Sequence, residues 1–231
     1  MLPTRVPRIK ICCISSPEEA NIAIRAGASA VGLVSSMPSG PGVISDELIA
    51  DIARTIPPGI ASFLLTCREI VEQIVAQQRA AGVNTLQLCD QLPVGSHDNL
   101  RRSLPGIGIV QVIHVTGESS IDEAVSIAPH VNAILLDSGN PTLSIKELGG
   151  TGRRHDWRIS RQIRELVDVP IFLAGGLRPD NVVEAIQEVG PYGLDVCSGV
   201  RSNGVLDAEK VEAFIRQSRV NRVEAHDAQL R

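Results

Sequence analysis

Apolar positions along the chain follow two rhythms that take turns. Short apolar runs read as strands over Arg8–Ile14, Ala30–Val34, Ile60–Thr66, Asn84–Leu88, Gly108–Val115, Val131–Asp137, Pro170–Ala174 and Gly193–Val196. Between them, helical spacing marks segments ending near Ala26 and Thr55, then Arg68–Ala81, Ser96–Ser103, Ser119–Ala128, Trp157–Val167, Pro179–Glu188 and Asp207–Gln217. The first helix has a strong start signal, Ser15-Ser16-Pro17-Glu18-Glu19, and Gly27 to close it. Ser45-Asp46-Glu47 opens the second. Eight strand–helix units follow one another with no linker, so a parallel sheet with helices outside is expected. Eight units in 231 residues predict a single (β/α)8 barrel domain over 1–231, with 219–231 a polar tail. An open doubly wound sheet is the competing architecture. It calls for a glycine turn after the first strand, where Cys12-Cys13-Ile14-Ser15 stands instead. The glycine turns, Gly175-Gly176 and Ser198-Gly199, come late, after strands seven and eight, where barrels commonly hold phosphate.

Period-two alternation also assigns faces. Ile9, Ile11 and Cys13 share one side of the first strand, and Lys10, Cys12 and Ile14 the other. Leu86 with Leu88, Ile134 with Leu136, and Leu194 with Val196 pack outward, which turns Gln87, Asp137 and Asp195 inward. Cys12 joins them. Chemistry in a barrel gathers at the C-terminal strand ends, so one thiol, two carboxylates and an amide converge there with backbone donors for a phosphate. That set suits proton transfer on a phosphorylated small molecule, with a stabilised thiolate as base and a desolvated carboxyl as acid. Lys10 is read as the partner of an inward carboxylate, and Trp157 as an anchor for its helix.

Composition narrows the classes. Only 5 residues are aromatic (3 Phe, 1 Trp, 1 Tyr), so aliphatic side chains must fill the core. A net charge of -4 without a basic run argues against nucleic acid. Five irregularly spaced cysteines argue against a disulfide framework and for a reducing, cytoplasmic setting. Adjacent Cys12 and Cys13 on opposite strand faces argue against zinc. The start, MLPTRVPR, lacks an apolar h-region, and no apolar run approaches the ~20 residues of a membrane helix. Neither a signal peptide nor a membrane partner is expected.

Several segments resemble phosphoribosylanthranilate isomerase, a (β/α)8 enzyme of tryptophan biosynthesis. They are Lys10-Ile11-Cys12, Gln87-Leu88, Leu135-Leu136-Asp137-Ser138, Gly149-Gly150-Thr151-Gly152 with Asp156-Trp157, Leu173-Ala174-Gly175-Gly176-Leu177 with Asn181-Val182, and Gly193-Leu194-Asp195-Val196 with Ser198-Gly199-Val200. The resemblance covers residues 8–216 and implies an Amadori rearrangement of a phosphoribosyl amine without metal or organic cofactor. It implies Asp137 as the general acid on the sugar ring oxygen and Cys12 as the general base on the C2 proton. It places Gly175, Gly176, Ser198 and Gly199 at the phosphate, and Gln87 and Asp195 at the substrate. A monomer or homodimer is expected.

The chain departs from the family pattern in its recognition shell. Gly40-Pro41-Gly42 stands where the family has Ser-Pro-Arg, Cys13 where it has glycine, Cys89-Asp90 where it has His-Gly, and Cys197 in place of a serine. Arg153 and Arg154 are candidates to restore the missing cation. Two alternatives follow from the lost arginine: an isomerase of a different phosphosugar amine, in which Gly42→Arg alone recovers weak turnover, or a barrel that binds a phosphate ligand without turnover.

Overall fold

The computed structural model describes residues 6–219. Eight parallel strands close into a barrel in chain order. They are β1 (Arg8–Ile11), β2 (Ala30–Val34), β3 (Ala61–Thr66), β4 (Thr85–Leu88), β5 (Gly108–His114), β6 (Ala133–Asp137), β7 (Ile171–Leu173) and β8 (Gly193–Val196). The helices between and after them are α1 (Pro17–Ala26), α2 (Asp46–Thr55), α3 (Val71–Ala81), α4 (Ser96–Ser103), α5 (Ser119–Ile127), α6 (Trp157–Leu166), α7 (Val182–Val189) and α8 (Ala208–Ser218). Strand β1 pairs with β8 from Arg8↔Gly193 to Ile11↔Val196, and this seam sets Lys10 directly beside Asp195. Among the described residues, no helix is long and apolar enough to cross a membrane.

Local chemistry explains most boundaries. The Ser16 hydroxyl accepts from the Glu19 amide at 3.2 Å, Pro17 occupies the first turn of α1, and Gly27 ends it at φ +106. Ser45, Asp156 and Asp207 cap α2, α6 and α8 in the same way. The apolar residues form two shells. Ile11, Leu33, Leu64, Leu86, Ile134, Leu136 and Leu194 face the helices and pack with Trp157 and Phe214. Ala30, Phe63, Val110, Val112, Ala133, Leu135 and Phe172 fill the barrel. Three of the five aromatics meet there: Phe63 and Phe172 edge to face at 6.0 Å, Phe172 and Tyr192 at 5.5 Å.

Four local expectations change. Strand β1 stops at Ile11 rather than Ile14, because Cys13 adopts φ +62 and breaks the alternation. Its side chain consequently joins Cys12 in the inner shell, while Ile14 joins the outer one, the reverse of the period-two reading. Helix α3 begins at Val71, not Arg68, since the Arg68 amide donates to the Thr66 hydroxyl and Ile70 is extended. Helix α7 begins at Val182, not Pro179, because the Asn181 side chain accepts from the Arg178 amide and donates to the Gly176 carbonyl, fixing a turn. A hairpin of β9 (Arg201–Ser202) and β10 (Val205–Leu206) follows β8, turning through Asn203 and Gly204 at φ +52 and +81. The Asn-Gly pair was its signal. Apart from Arg219, the expected polar tail lies outside the described residues.

The hairpin is tied to the start of the barrel by a buried ion pair. Glu19 of α1 accepts from both Arg201 guanidinium nitrogens at 3.0 Å and from the Ser15 and Leu206 amides at 2.9 and 3.0 Å. Arg201 also donates to the Cys13 carbonyl. Burial alone would raise the Glu19 carboxyl, but Arg201 and the two amides outweigh it and hold it down at about 2. Replacing Glu19 by Gln leaves the Arg201 charge buried and is expected to cost about 3 kcal/mol at neutral pH, read by urea unfolding. Because the folded pKa lies below the unfolded 4.5, that contribution is complete above pH 4.5 and disappears as pH falls toward 2. The gap between wild type and Glu19→Gln is therefore expected to close across that window.

Candidate active site

The C-terminal ends of the strands enclose about 670 Å³ of space, part of it open to solvent. Cys12 directly after β1, Gln87 from β4, Asp137 from β6 and Asp195 from β8 all line it, together with Gly175, Gly176 and Ser198. Gly199 does not reach the cavity wall. It lies in the short 3-10 turn Ser198–Val200, where a β-carbon would stand 1.9 Å from the Leu177 carbonyl oxygen, so its absence of side chain lets the two late loops touch.

Lys10 is the deepest charge. It is fully buried, donates to the Asp195 carboxylate at 2.9 Å and lies 5.2 Å from the centre of the Phe63 ring. Burial would deprotonate it, yet Asp195, then Cys12, more than compensate and raise the ammonium above its ordinary value. Burial pushes Asp195 upward, with Lys10 opposing. Cys12, the residue after β1, is the next to face inward. A β-carbon on Gly32 would stand 2.8 Å from its sulfur and 2.9 Å from the Lys10 nitrogen. The glycine inside the apolar β2 run thus makes room for both, and that interruption was a readable sign of close approach. The Cys12 thiol is lowered below 9.0, first by a hydrogen bond from Cys13 and then by Lys10, against the cost of burial. Cys89, equally buried, is raised by that burial and by Cys12, which outweigh the pull of Lys10.

Asp137 ends β6. One oxygen accepts from the Ser138 amide at 2.7 Å, while the other faces Gly149, where a β-carbon would stand 2.8 Å away. Gly149 belongs to the loop after β6, and that loop meets the one after β2 over the cavity. The Ser39 hydroxyl donates to the Lys146 carbonyl at 2.7 Å, and Pro41 packs so close to Gly150 that a β-carbon there would be 2.5 Å from its ring. Thr151 and Ser138 share a hydrogen bond of 2.7 Å, which anchors the roof beside Asp137. Gln87 leaves its side-chain oxygen buried without a partner among the described residues, an acceptor available to a ligand. Gly175 and Gly176 sit at φ +82 and +65, pressed against the Ser138 hydroxyl and the Arg153 backbone.

The recognition shell differs from expectation. No Lys or Arg is found among the described residues that line the cavity. Arg153 pairs with Glu147, and Arg154 stacks 3.4 Å from the centre of Trp157 while bonding Glu184 and Glu188 at 2.9 and 3.0 Å. Neither lines the cavity. A lone Gly42→Arg change does not fit either, because a β-carbon at Gly42 would lie 2.5 Å from that of Cys13 and the backbone there is at φ +81. His155 is a helix-start residue, bonded to Ser160 at 2.7 Å and driven by burial to about 4, hence neutral. Cys13 and Cys197 line the same cavity as Cys12.

Known proteins share this architecture. The profile of the N-(5'-phosphoribosyl)anthranilate isomerase family matches residues 9–217. N-(5'-phosphoribosyl)anthranilate isomerase of Haloferax volcanii is 38% identical over 93% of this chain and 94% of its own. N-(5'-phosphoribosyl)anthranilate isomerase 2 of Methanosarcina mazei is also 38% identical, over 92% of this chain and 94% of its own. The crystal structure of the Thermotoga maritima phosphoribosylanthranilate isomerase superposes with a TM-score of 0.80 at 29% identity, covering 93% of this chain and 99% of that one. A phosphoribosylanthranilate isomerase in complex with reduced 1-(o-carboxyphenylamino)-1-deoxyribulose 5-phosphate superposes at 0.77 and 27% identity, with the same coverage. A profile match along nearly the whole described barrel and full-length relatives above 30% identity place the chain in the N-(5'-phosphoribosyl)anthranilate isomerase family, isomerase enzymes of tryptophan biosynthesis.

Proposed function

We propose that the chain isomerises N-(5'-phosphoribosyl)anthranilate to the 1-deoxyribulose 5-phosphate amine, with Asp137 as general acid and Cys12 as general base. The observation that carries the reading is the pairing of a thiol lowered by its surroundings with a carboxyl on another inward strand end, in one cavity. Asp137 gives a proton to the ring oxygen as the C–O bond at C1 breaks, leaving an iminium ion. The Cys12 thiolate removes the C2 proton, and the C–H electrons become the C1=C2 bond of an enolamine that relaxes to the ketone. The Lys10 ammonium, near the Cys12 sulfur, favours the thiolate without itself reaching the substrate. Gly175, Gly176 and Ser198 offer the late-loop edge of the cavity to the phosphate, Gly199 keeps that edge closed against Leu177, and Gln87 and Asp195 face the reacting carbons. The five free thiols suit a reducing cytoplasm.

A second reading keeps the chemistry and changes the amine. It is favoured by the lack of any cation among the described lining residues, where an anthranilate carboxylate would need one. Loss of anthranilate fluorescence on incubation with phosphoribosylanthranilate supports the first reading. An inert enzyme that turns over a phosphoribosyl amine without the carboxylate supports the second.

Cys12→Ser and Asp137→Asn are each expected to lower kcat about a hundredfold or more in the same assay, and full activity in either variant removes that residue from its role. Gly149→Ala, with its new carbon against the Asp137 oxygen, is expected to cost about tenfold in kcat while leaving thermal unfolding within a few degrees. Since the base must be ionised and the acid protonated, kcat/KM is expected to be bell-shaped in pH, with one limb set by the thiol, lowered below 9.0, and the other by the acid. Lys10 remains charged throughout that range.

A further inference from the structure

Cys12 sits between two anchored peptide groups. On one side its own amide donates to the Val196 carbonyl of β8 at 2.8 Å. On the other, the peptide joining Cys13 to Ile14 is held at both ends: the Ile14 amide donates to the Gly32 carbonyl at 3.0 Å, and the Cys13 carbonyl accepts from Arg201. Cys13 itself stands at φ +62, a left-handed conformation that costs energy for any residue with a side chain and persists only where its surroundings hold it. The Cys12 sulfur has little room to follow a relaxation of that turn, since a β-carbon on Gly32 would already stand 2.8 Å from it.

Arg201 is fixed more completely than an anchor for its hairpin requires. One terminal nitrogen donates to the Glu19 carboxylate at 3.0 Å and to the Gly204 carbonyl at 2.9 Å. The other donates to the second Glu19 oxygen at 3.0 Å and to the Cys13 carbonyl. The hairpin closes through its own ladder, with Arg201 opposite Leu206 and Ser202 opposite Val205, and the Leu206 amide already ties it to Glu19. The bond to Cys13 is the one that leaves this assembly, and it ends one residue from Cys12. We propose that Arg201 is a positioning residue for the general base: its guanidinium, oriented by Glu19, holds the turn after β1 so that the Cys12 sulfur stays aimed into the cavity. The inference rests on the reading of Cys12 as the base. A planar fork suits the task, because its two nitrogens serve a carboxylate and a carbonyl at once in fixed directions, which a single ammonium does not. Arg201 also follows directly on the Ser198–Val200 turn, so the segment that brings Ser198 to the cavity wall steadies the thiol as well.

Two variants release the turn in different ways. Arg201→Met combined with Glu19→Gln removes both charges together, so that neither is left buried alone. Arg201→Lys keeps the ion pair with Glu19 but not the fork, and decides the question if the double variant does not fold. Below their unfolding temperatures, both are expected to turn over phosphoribosylanthranilate with kcat about tenfold below wild type and KM within about twofold, because misplacing a group slows the step it performs. Substrate deuterated at C2 is expected to show a larger isotope effect than with wild type, since that step is the removal of the C2 proton. Alkylation by iodoacetamide without substrate, localised by fragmenting the labelled peptides, reads the turn directly. Relative to Cys89, a buried thiol that reports general opening, Cys12 is expected to label about tenfold faster in both variants, the weight of one lost bond to a charged donor. A wild-type kcat, a loss carried by KM instead, or a wild-type ratio of Cys12 to Cys89 labelling overturns the inference. A Cys12→Ser enzyme with full activity would instead overturn the reading of the base, whatever the Arg201 variants do.

Discussion

The buried ion pair between Lys10 and Asp195 is the constraint around which the molecule is arranged. Strands β1 and β8 are far apart in sequence, and their pairing closes the barrel; the pair sits directly across that seam at 2.9 Å. An ammonium with no exposure is tolerable only if it is neutralised and well placed, so any slip of the seam register would strand two charges in the core. The same charge then sets what surrounds it. Gly32 must lack a side chain, Phe63 offers its ring face, and Cys12 finds a cation nearby. A structural device for closing the barrel thereby becomes the field in which a thiol ionises.

Much of this was legible in the chain because barrels obey simple alternation. Leu86, Leu88, Ile134, Leu136 and Leu194 are apolar at every second position, which was enough to turn Gln87, Asp137 and Asp195 inward. Lys10 could be read as a paired charge because a lone ammonium inside a barrel has no other stable option. What escaped was set by backbone torsion and by long-range contact. Nothing local in Cys12-Cys13-Ile14 announces φ +62, since that turn is held by Gly42 from one loop and Arg201 from another. Similarly, Arg153 and Arg154 are polar and near the right loop, but Glu147, Trp157, Glu184 and Glu188 claim them. Sequence proximity to a site does not decide which way a long side chain turns.

The two halves of the site obey different physics, and that separates their tolerance to change. One half depends on strands: Lys10, Asp137 and Asp195 come from β1, β6 and β8, Cys12 follows β1 directly, and all are fixed by the barrel itself. The other half depends on loops after β2 and β6, where Pro41, Gly149 and Gly150 touch through contacts that only glycine permits. Loops can exchange side chains without disturbing the barrel, so that half tolerates change more readily than the strand-borne one.

The Cys13–Gly42 contact links those halves. A bulky residue at position 42 and a side chain at position 13 compete for the same volume, with 2.5 Å between the two β-carbons. Placing a cation on the β2 loop and placing a second thiol beside Cys12 are thus mutually exclusive solutions at this corner of the cavity. A chain that holds the thiol must supply charge complementarity for its substrate elsewhere or choose a substrate that needs less of it. Ionising the base more fully also makes it weaker, because a stabilised thiolate accepts a proton less readily. The gain at neutral pH is a larger ionised fraction, and the cost is lower basicity per thiolate.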